Sequence, residues 1–208
     1  MKVLSIDFDY FIKTSILVRN TLFPQAEDIE DALIVKRMWD DCYKEYPEIK
    51  NIQVDDDELL VLYRILFSLK RKLSLHVFDS HAKMYDVIKD EKPSVLVNVD
   101  FHHDFYYMYG GKVTCANWLM KADQLHHFNK EEVIWVKRND SETSSIGGEF
   151  PFTTLNNLHE LENLRIDFDT VFLCLSPEWT PYHLNGVYIN LVKYLEFLNS
   201  FYDEKSLK

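Results

Sequence analysis

Short apolar runs alternate with stretches of helical periodicity along almost the whole chain, and this alternation restricts the fold more than any other feature. Lys2–Phe8, Ser74–Phe78, Ser94–Val99, Glu132–Lys137 and Val171–Leu175 read as strands, the third as the buried run SVLVNV. Between and after them, Asp28–Tyr46, Asp56–Lys70, Ser80–Lys89, Ala116–His127 and Pro181–Tyr202 read as helices. In Asp56–Lys70 the apolar face is Leu59, Leu60, Tyr63, Leu66 and Phe67. Asp55–Asp57 place negative charge at its start and Lys70–Lys72 positive charge at its end, as the helix dipole favours. Strands separated by helices predict an α/β fold of three layers, a mostly parallel central sheet with helices on both faces. The 208 residues have the length of one domain, and no internal repeat or low-complexity tract divides 1–208. The least regular stretch, Asn139–Pro151 (NDSETSSIGGEFP), reads as a connecting loop near the sheet edge or a substrate-side lid.

In open α/β sheets, ligands bind beyond the carboxyl ends of the strands. Three expected strands end in unusual polar residues: SIDFDYF (5–11), NVDFHHDF (98–105) and LSPEWTP (175–181). Asp100, His102 and Asp104 are spaced i, i+2, i+4, which on an extended strand places all three on one face. Asp7 and Asp9 share a face at the end of the first strand in the same way. If the two strand ends are neighbours, four carboxylates and an imidazole converge in one pocket. Like charges that close raise each other's pKa, and two divalent cations would supply the matching positive charge. Oxygen-rich ligands with imidazole suit Mn²⁺ better than the thiolate-rich sites preferred by zinc. A two-metal site also has a chemical use, since it generates a hydroxide nucleophile near neutral pH. His103 is expected on the opposite face, at the surface or behind the ligands. A second acidic pair, Asp167 and Asp169, precedes a strand and is therefore expected as a helix-to-strand turn at the other end of the sheet.

These motifs resemble a known superfamily. DFHHD (100–104) matches the DxHxD motif of the arginase–deacetylase (ureohydrolase) superfamily, and SIDFDYF (5–11) resembles its SxDxDxF element. EWTP (178–181) resembles the ExxP that follows a late strand in arginases. His81, in FDSHA, lies at a strand-to-helix junction much where arginases carry the histidine of a GDH motif. The combination looks most like the small, atypical branch that includes peptide arginases, which convert arginine in a ribosomal peptide to ornithine. The resemblance implies an arginase-like domain with two Mn²⁺ ions and Asp100 and Asp7 as bridging carboxylates. His81 and Asp104 would complete one ion, and His102 and Asp9 the other. Glu178 would face the substrate guanidinium, where a carboxylate accepts two parallel charge-assisted hydrogen bonds. CANWL (115–119) lies where arginases have a GNLHG-like segment, which implies a substrate contact for Asn117, although Leu119 replaces the histidine. Because the SxDxD strand comes late in arginases and first here, a rearranged strand order is implied. The partner implied is an arginine-containing peptide, such as a ribosomal precursor.

Other functional classes compete. An early strand ending in DxD is also the nucleophile motif of haloacid-dehalogenase-like phosphatases, with Asp7 as phosphoryl acceptor and Asp9 as general acid beside Mg²⁺. That reading leaves DFHHD and EWTP unexplained. Deacylases of the arginase superfamily share DxH, and a non-catalytic acidic domain would use the same groups to hold metal structurally. The formal charge of −11, from 34 acids against 23 bases, disfavours nucleic-acid binding and is compatible with a cationic substrate. Cys42, Cys115 and Cys174 are far apart and lack CxxC spacing, which argues against a structural zinc site and fits a reducing compartment. No apolar run reaches the roughly 20 residues of a membrane span. The first residues, MKVLSIDFDYF, carry acids where a signal peptide is apolar. The expectation is a cytoplasmic protein without membrane contact.

Overall fold

A computed structural model describes residues 1–26, 28–106, 111–129, 132–141, 143 and 151–205. The strands are β1 (Lys2–Asp7), β2 (Ser74–Phe78), β3 (Val95–Val99), β4 (Val133–Val136), β5 (Thr153–Leu155) and β6 (Thr170–Cys174). They form one sheet in the order β2-β6-β1-β3-β4-β5, and every pairing is parallel. The described helices are α1 (Ile16–Leu22), α2 (Ala32–Glu45), α3 (Asp56–Ser68), α4 (Met84–Glu91), α5 (Trp118–Gln124), α6 (Leu158–Leu164) and α7 (Asn185–Lys205). None of them is long and apolar enough to cross a membrane.

Strand alternation sends successive side chains to opposite faces, which builds a core on each side of the sheet. Leu4, Ile6, Val97 and Val99 enter the larger core with α2, α3, α6 and α7. Val3, Leu96 and Phe172 enter the smaller one with Met84 and Ile88 of α4 and Trp118 and Leu119 of α5. Burial on both faces explains the continuous apolar runs that made β1, β3 and β6 legible. These three strands are neighbours at the middle of the sheet, with Ile6 opposite Val99 and Asp7 opposite Cys174. Their carboxyl ends therefore open side by side.

Several expected elements are shorter or shaped differently. Helix α2 begins at Ala32 and not at Asp28, because the Asp31 side chain accepts from the Leu33 amide and caps it. Beyond Asp7 the chain leaves the sheet as a 3-10 turn, Phe8–Phe11, so Asp9 lies on a turn and not on a strand. Strand β3 likewise ends at Val99, and Asp100–Asp104 is an irregular segment with Asp104 in the left-handed region (φ 52°). The strand-spacing reason for their common orientation is thus incorrect, although the residues do converge. Helices α1 and α6 and strand β5 had no sequence expectation. At seven, seven and three residues they are too short to declare themselves outside a tertiary context. Of the Asn139–Pro151 loop, 142 and 144–150 lie outside the described residues. Asp167 and Asp169 sit before β6, where both pair with Arg71 and Asp169 accepts from the Lys2 amide at 2.9 Å. They cap the opposite end of the sheet, as their position before the strand required.

Candidate metal centre

The ends of β1 and β3 and the turn after β2 bring Asp7, Asp9, His81, Asp100, His102 and Asp104 together. His81 follows the Ser80 cap of a short 3-10 turn and lies flat on the smaller core, with its ring against Phe172 and Trp118. Its Nδ1 is 2.8 Å from Asp104 Oδ2, 3.0 Å from Asp100 Oδ2 and 3.3 Å from Asp7 Oδ2. On the other side, His102 Nδ1 is 3.1 Å from Asp9 Oδ2 and 4.0 Å from Asp100 Oδ1. Two compact groups result, Asp7–His81–Asp100 and Asp9–Asp100–His102, each with its ligand atoms within 4.8 Å of one another. Asp100 is common to both and presents one oxygen to each histidine. Asp7 belongs to the first group only, and Asp104 adjoins it while accepting from Trp118 Nε1 at 2.5 Å.

The arrangement fits a cation. His81 Nε2 is 2.7 Å from Ser5 Oγ, and Nδ1 makes no hydrogen bond of proper geometry despite its three carboxylate neighbours. With the ring proton on Nε2 and donated to Ser5, the Nδ1 lone pair is left for a metal, which is how metal-ligating histidines are commonly oriented. Asp9 Oδ1 is also buried without a hydrogen-bond partner. The electrostatics point the same way. Burial, helped by the Asp9 and Asp100 charges, pushes the Asp7 carboxyl up to about 6. Burial and then Asp104 push Asp100 up to about 8. Burial opposes charge on the imidazoles, yet Asp104, Asp100 and Asp7 raise His81 well above the usual range, and Asp9 raises His102 to about 9. Burial also acts to raise Asp9, but His102 and Arg19 hold it below the usual carboxylate range. By itself the cluster takes up protons to relieve its crowded carboxylates, and a bound metal ion replaces those protons. This buried Asp/His cluster can hold a metal ion.

A cavity of about 790 Å³ adjoins the cluster, with Asp28, Asp79, Ser80, Trp39, Glu178 and Tyr182 among its walls. None of the six candidate ligands lines it, but its walls connect to them directly. Ser80 precedes His81, and Ser176, two residues before Glu178, donates its hydroxyl to Asp7. Glu178 is buried, and its Oε1 accepts from the Ile29 amide at 2.5 Å. Burial, only partly offset by that amide, raises its pKa. Among the six ligands only His102 is appreciably exposed, at 21 % of its side chain, and its ring packs on Trp179 beside Glu178. The centre is therefore most open where the Glu178 loop passes.

Other expectations fare differently. Asn117 does not line the cavity: its Oδ1 accepts from the Thr114 amide and its Nδ2 donates to the Lys112 carbonyl, so both ends of the amide tie a loop. The substrate contact implied for Asn117 is replaced by this structural role. Leu119 is fully buried in the smaller core. His103 is fully buried as well and packs against Trp135 and Tyr106, so it is not a surface residue. Sequence reading missed Ser5, Arg19, Asp28 and Ser176. Asp28 adopts φ 51° and accepts from the Ser80 hydroxyl and the Cys115 amide, and Ser176 adopts φ 45°. With Asp104, left-handed backbone at three residues around one site marks a locally over-determined loop cluster. Signals were present for three of them: Arg19 is a lone charge inside the apolar run ILVRNTLF, Ser5 opens SIDFDYF and Ser176 lies in LSPEWTP. Comparison of the chain with protein-family models, with curated proteins and with solved structures gives no match.

Proposed function

We propose that this protein is a binuclear Mn²⁺ hydrolase that converts arginine side chains within a peptide to ornithine, with release of urea. The observation that carries the reading is Asp100, a buried carboxylate shared by two Asp/His groups and offering one oxygen to each. Asp7, His81, Asp100 and Asp104 would hold one ion, and Asp9, His102 and Asp100 the other. The donor set, all carboxylate oxygen and imidazole nitrogen, favours Mn²⁺ over metals that prefer thiolate. Bound there, the pair of ions would lower the pKa of a shared water and supply a hydroxide nucleophile near neutral pH.

The chain's own residues would bind and orient. Glu178, fixed by the Ile29 amide, offers a carboxylate to the guanidinium. A buried cation beside it would relieve the burial that now raises its pKa. Oxygen from water adds to the guanidinium carbon, the bond from that carbon to Nε breaks, and Nε takes a proton to become the ornithine amine. The cavity volume of about 790 Å³ suits a ligand well beyond one side chain, which supports a peptide over free arginine. The phosphatase alternative is less well supported, because both Asp7 oxygens are engaged inside the cluster.

The test is metal analysis of the purified protein combined with mass spectrometry of arginine peptides. The expected product is lighter than its substrate by the mass of one cyanamide unit, with urea formed in equal amount. Far better turnover of free arginine than of any peptide overturns the peptide assignment. Cleavage of acylated lysine with neither arginine substrate consumed moves the reading to the deacylase branch.

A further inference from the structure

Arg19 is a fully buried cation that reaches the cluster at Asp9. It comes from α1, an element the sequence reading did not anticipate. Its Nη1 lies 3.3 Å from Asp9 Oδ2, and its Nη2 donates to the Asp9 carbonyl at 2.7 Å and the Ile12 carbonyl at 2.9 Å. Its guanidinium also stacks 3.8 Å above the ring of Phe101, the residue after Asp100. One side chain thus touches both segments that carry the second group of candidate ligands, the turn at 8–12 and the irregular stretch at 100–104. Burying a guanidinium carries a large desolvation cost, and a well-packed apolar side chain of similar size is often no less stable. Stability of the fold therefore explains the choice of arginine poorly.

We propose that Arg19 is a positioning residue for the metal centre: its planar fork locks the Asp9 carboxylate against His102 and Asp100. The torsion that turns a carboxylate about its own axis is broad. Among the described residues Asp9 Oδ1 has no hydrogen-bond partner of good geometry, and Oδ2 faces His102 and Arg19, with the Phe101 amide also acting on the carboxylate. Without the fork, Asp9 keeps His102 but loses the contact that fixes Oδ2 from the α1 side, and the 8–12 turn loses two bonds to its carbonyls. The inference rests on the reading that Asp9, Asp100 and His102 bind an ion.

Two roles for Arg19 predict opposite signs. If it acted only as a positive charge, its removal would tighten cation binding. If it positions Asp9, its removal weakens binding at the second group and spares the first. The experiment is calorimetric titration of wild type, Arg19→Met and Arg19→Lys with Mn²⁺, together with electron paramagnetic resonance of the loaded proteins. Wild type binding no Mn²⁺ refutes the metal reading itself, independently of Arg19. Given two ions in wild type, Arg19→Met is expected to lose about tenfold or more in affinity for one ion only, the scale seen when a ligand's supporting partner is removed. The resonance signature of a coupled ion pair is then replaced by that of an isolated ion. Arg19→Lys keeps the charge but lacks the fork, so it is expected to show the same selective loss. It also serves if Arg19→Met does not fold. Unchanged or tighter binding of the second ion in either variant, or equal weakening of both ions, overturns the proposal.

Discussion

Stripping the metal should make this protein's stability fall as pH rises, and loading it should reverse that trend. The groups that decide the sign are Asp7, pushed up to about 6, Asp100, pushed up to about 8, and His102, raised to about 9. All three lie above their values in an unfolded chain, so the native metal-free protein binds more protons than the unfolded chain. Their contribution is complete below about pH 4 for the carboxylates and below about 6.5 for His102, and is lost as pH rises through the raised values. The depressed pKa of Asp9 acts in the opposite direction but in a lower range. For Asp7 alone, a rise from 3.8 to about 6 corresponds to about 3 kcal/mol lost between those limits. In a chain of this size that is on the order of 6–12 °C in melting temperature. A bound cation competes with the same protons, so metal affinity, and with it the added stability, increases with pH. The assay is thermal unfolding of chelated and Mn²⁺-loaded protein at several values from about pH 5 to about pH 8. The many other acids titrate equally in both forms, so the gap between the two melting curves isolates the cluster. A gap that stays constant across the series refutes the assignment of the metal to these groups.

Other perturbations follow from individual contacts. Asp100→Asn should lose at least one ion by elemental analysis, because a neutral amide bridges two cations poorly; unchanged metal content counts against the shared role. Glu178→Gln should keep the metal and cost on the order of 2–4 kcal/mol in kcat/KM on arginine peptides, and a variant with full activity removes Glu178 from the substrate site. Ser5→Ala deprives His81 Nε2 of its partner and should weaken Mn²⁺ binding by about 10–100-fold in a metal-buffer titration. Trp39→Ala empties a fully buried site that also holds the Pro177 carbonyl next to Glu178, and should cost about 3–5 kcal/mol in urea unfolding.

What the sequence determined by itself was the layered fold and the composition of the centre. Fully buried parallel strands must be apolar throughout, so β1, β3 and β6 stood out as runs. A polar cluster after such a run has few places to go other than the carboxyl edge of the sheet. Asp7, Asp9, Asp100, His102 and Asp104 were therefore legible as a set, whereas His81 was implied only by the resemblance of FDSHA to an arginase motif. Their geometry was not. Strand spacing placed Asp9 and Asp100–Asp104 on extended backbone, whereas Asp9 lies on a 3-10 turn and the DFHHD segment curls back after Val99. The resemblance implied both Asp100 and Asp7 as shared residues; the tertiary structure makes Asp100 common to both groups and leaves Asp7 in one, because that depends on β1 and β3 being neighbours and on His81 arriving from β2 across the sheet. The same holds for Arg19, Ser5 and Ser176, whose roles rest on contacts with residues distant in sequence or on a helix too short to recognise. It also holds for Asn117, whose motif position implied a substrate contact and whose hydrogen bonds tie it to its own loop. Periodicity records which face of an element is buried. Which charged groups end up sharing that burial is decided by how the strand order folds the chain back on itself.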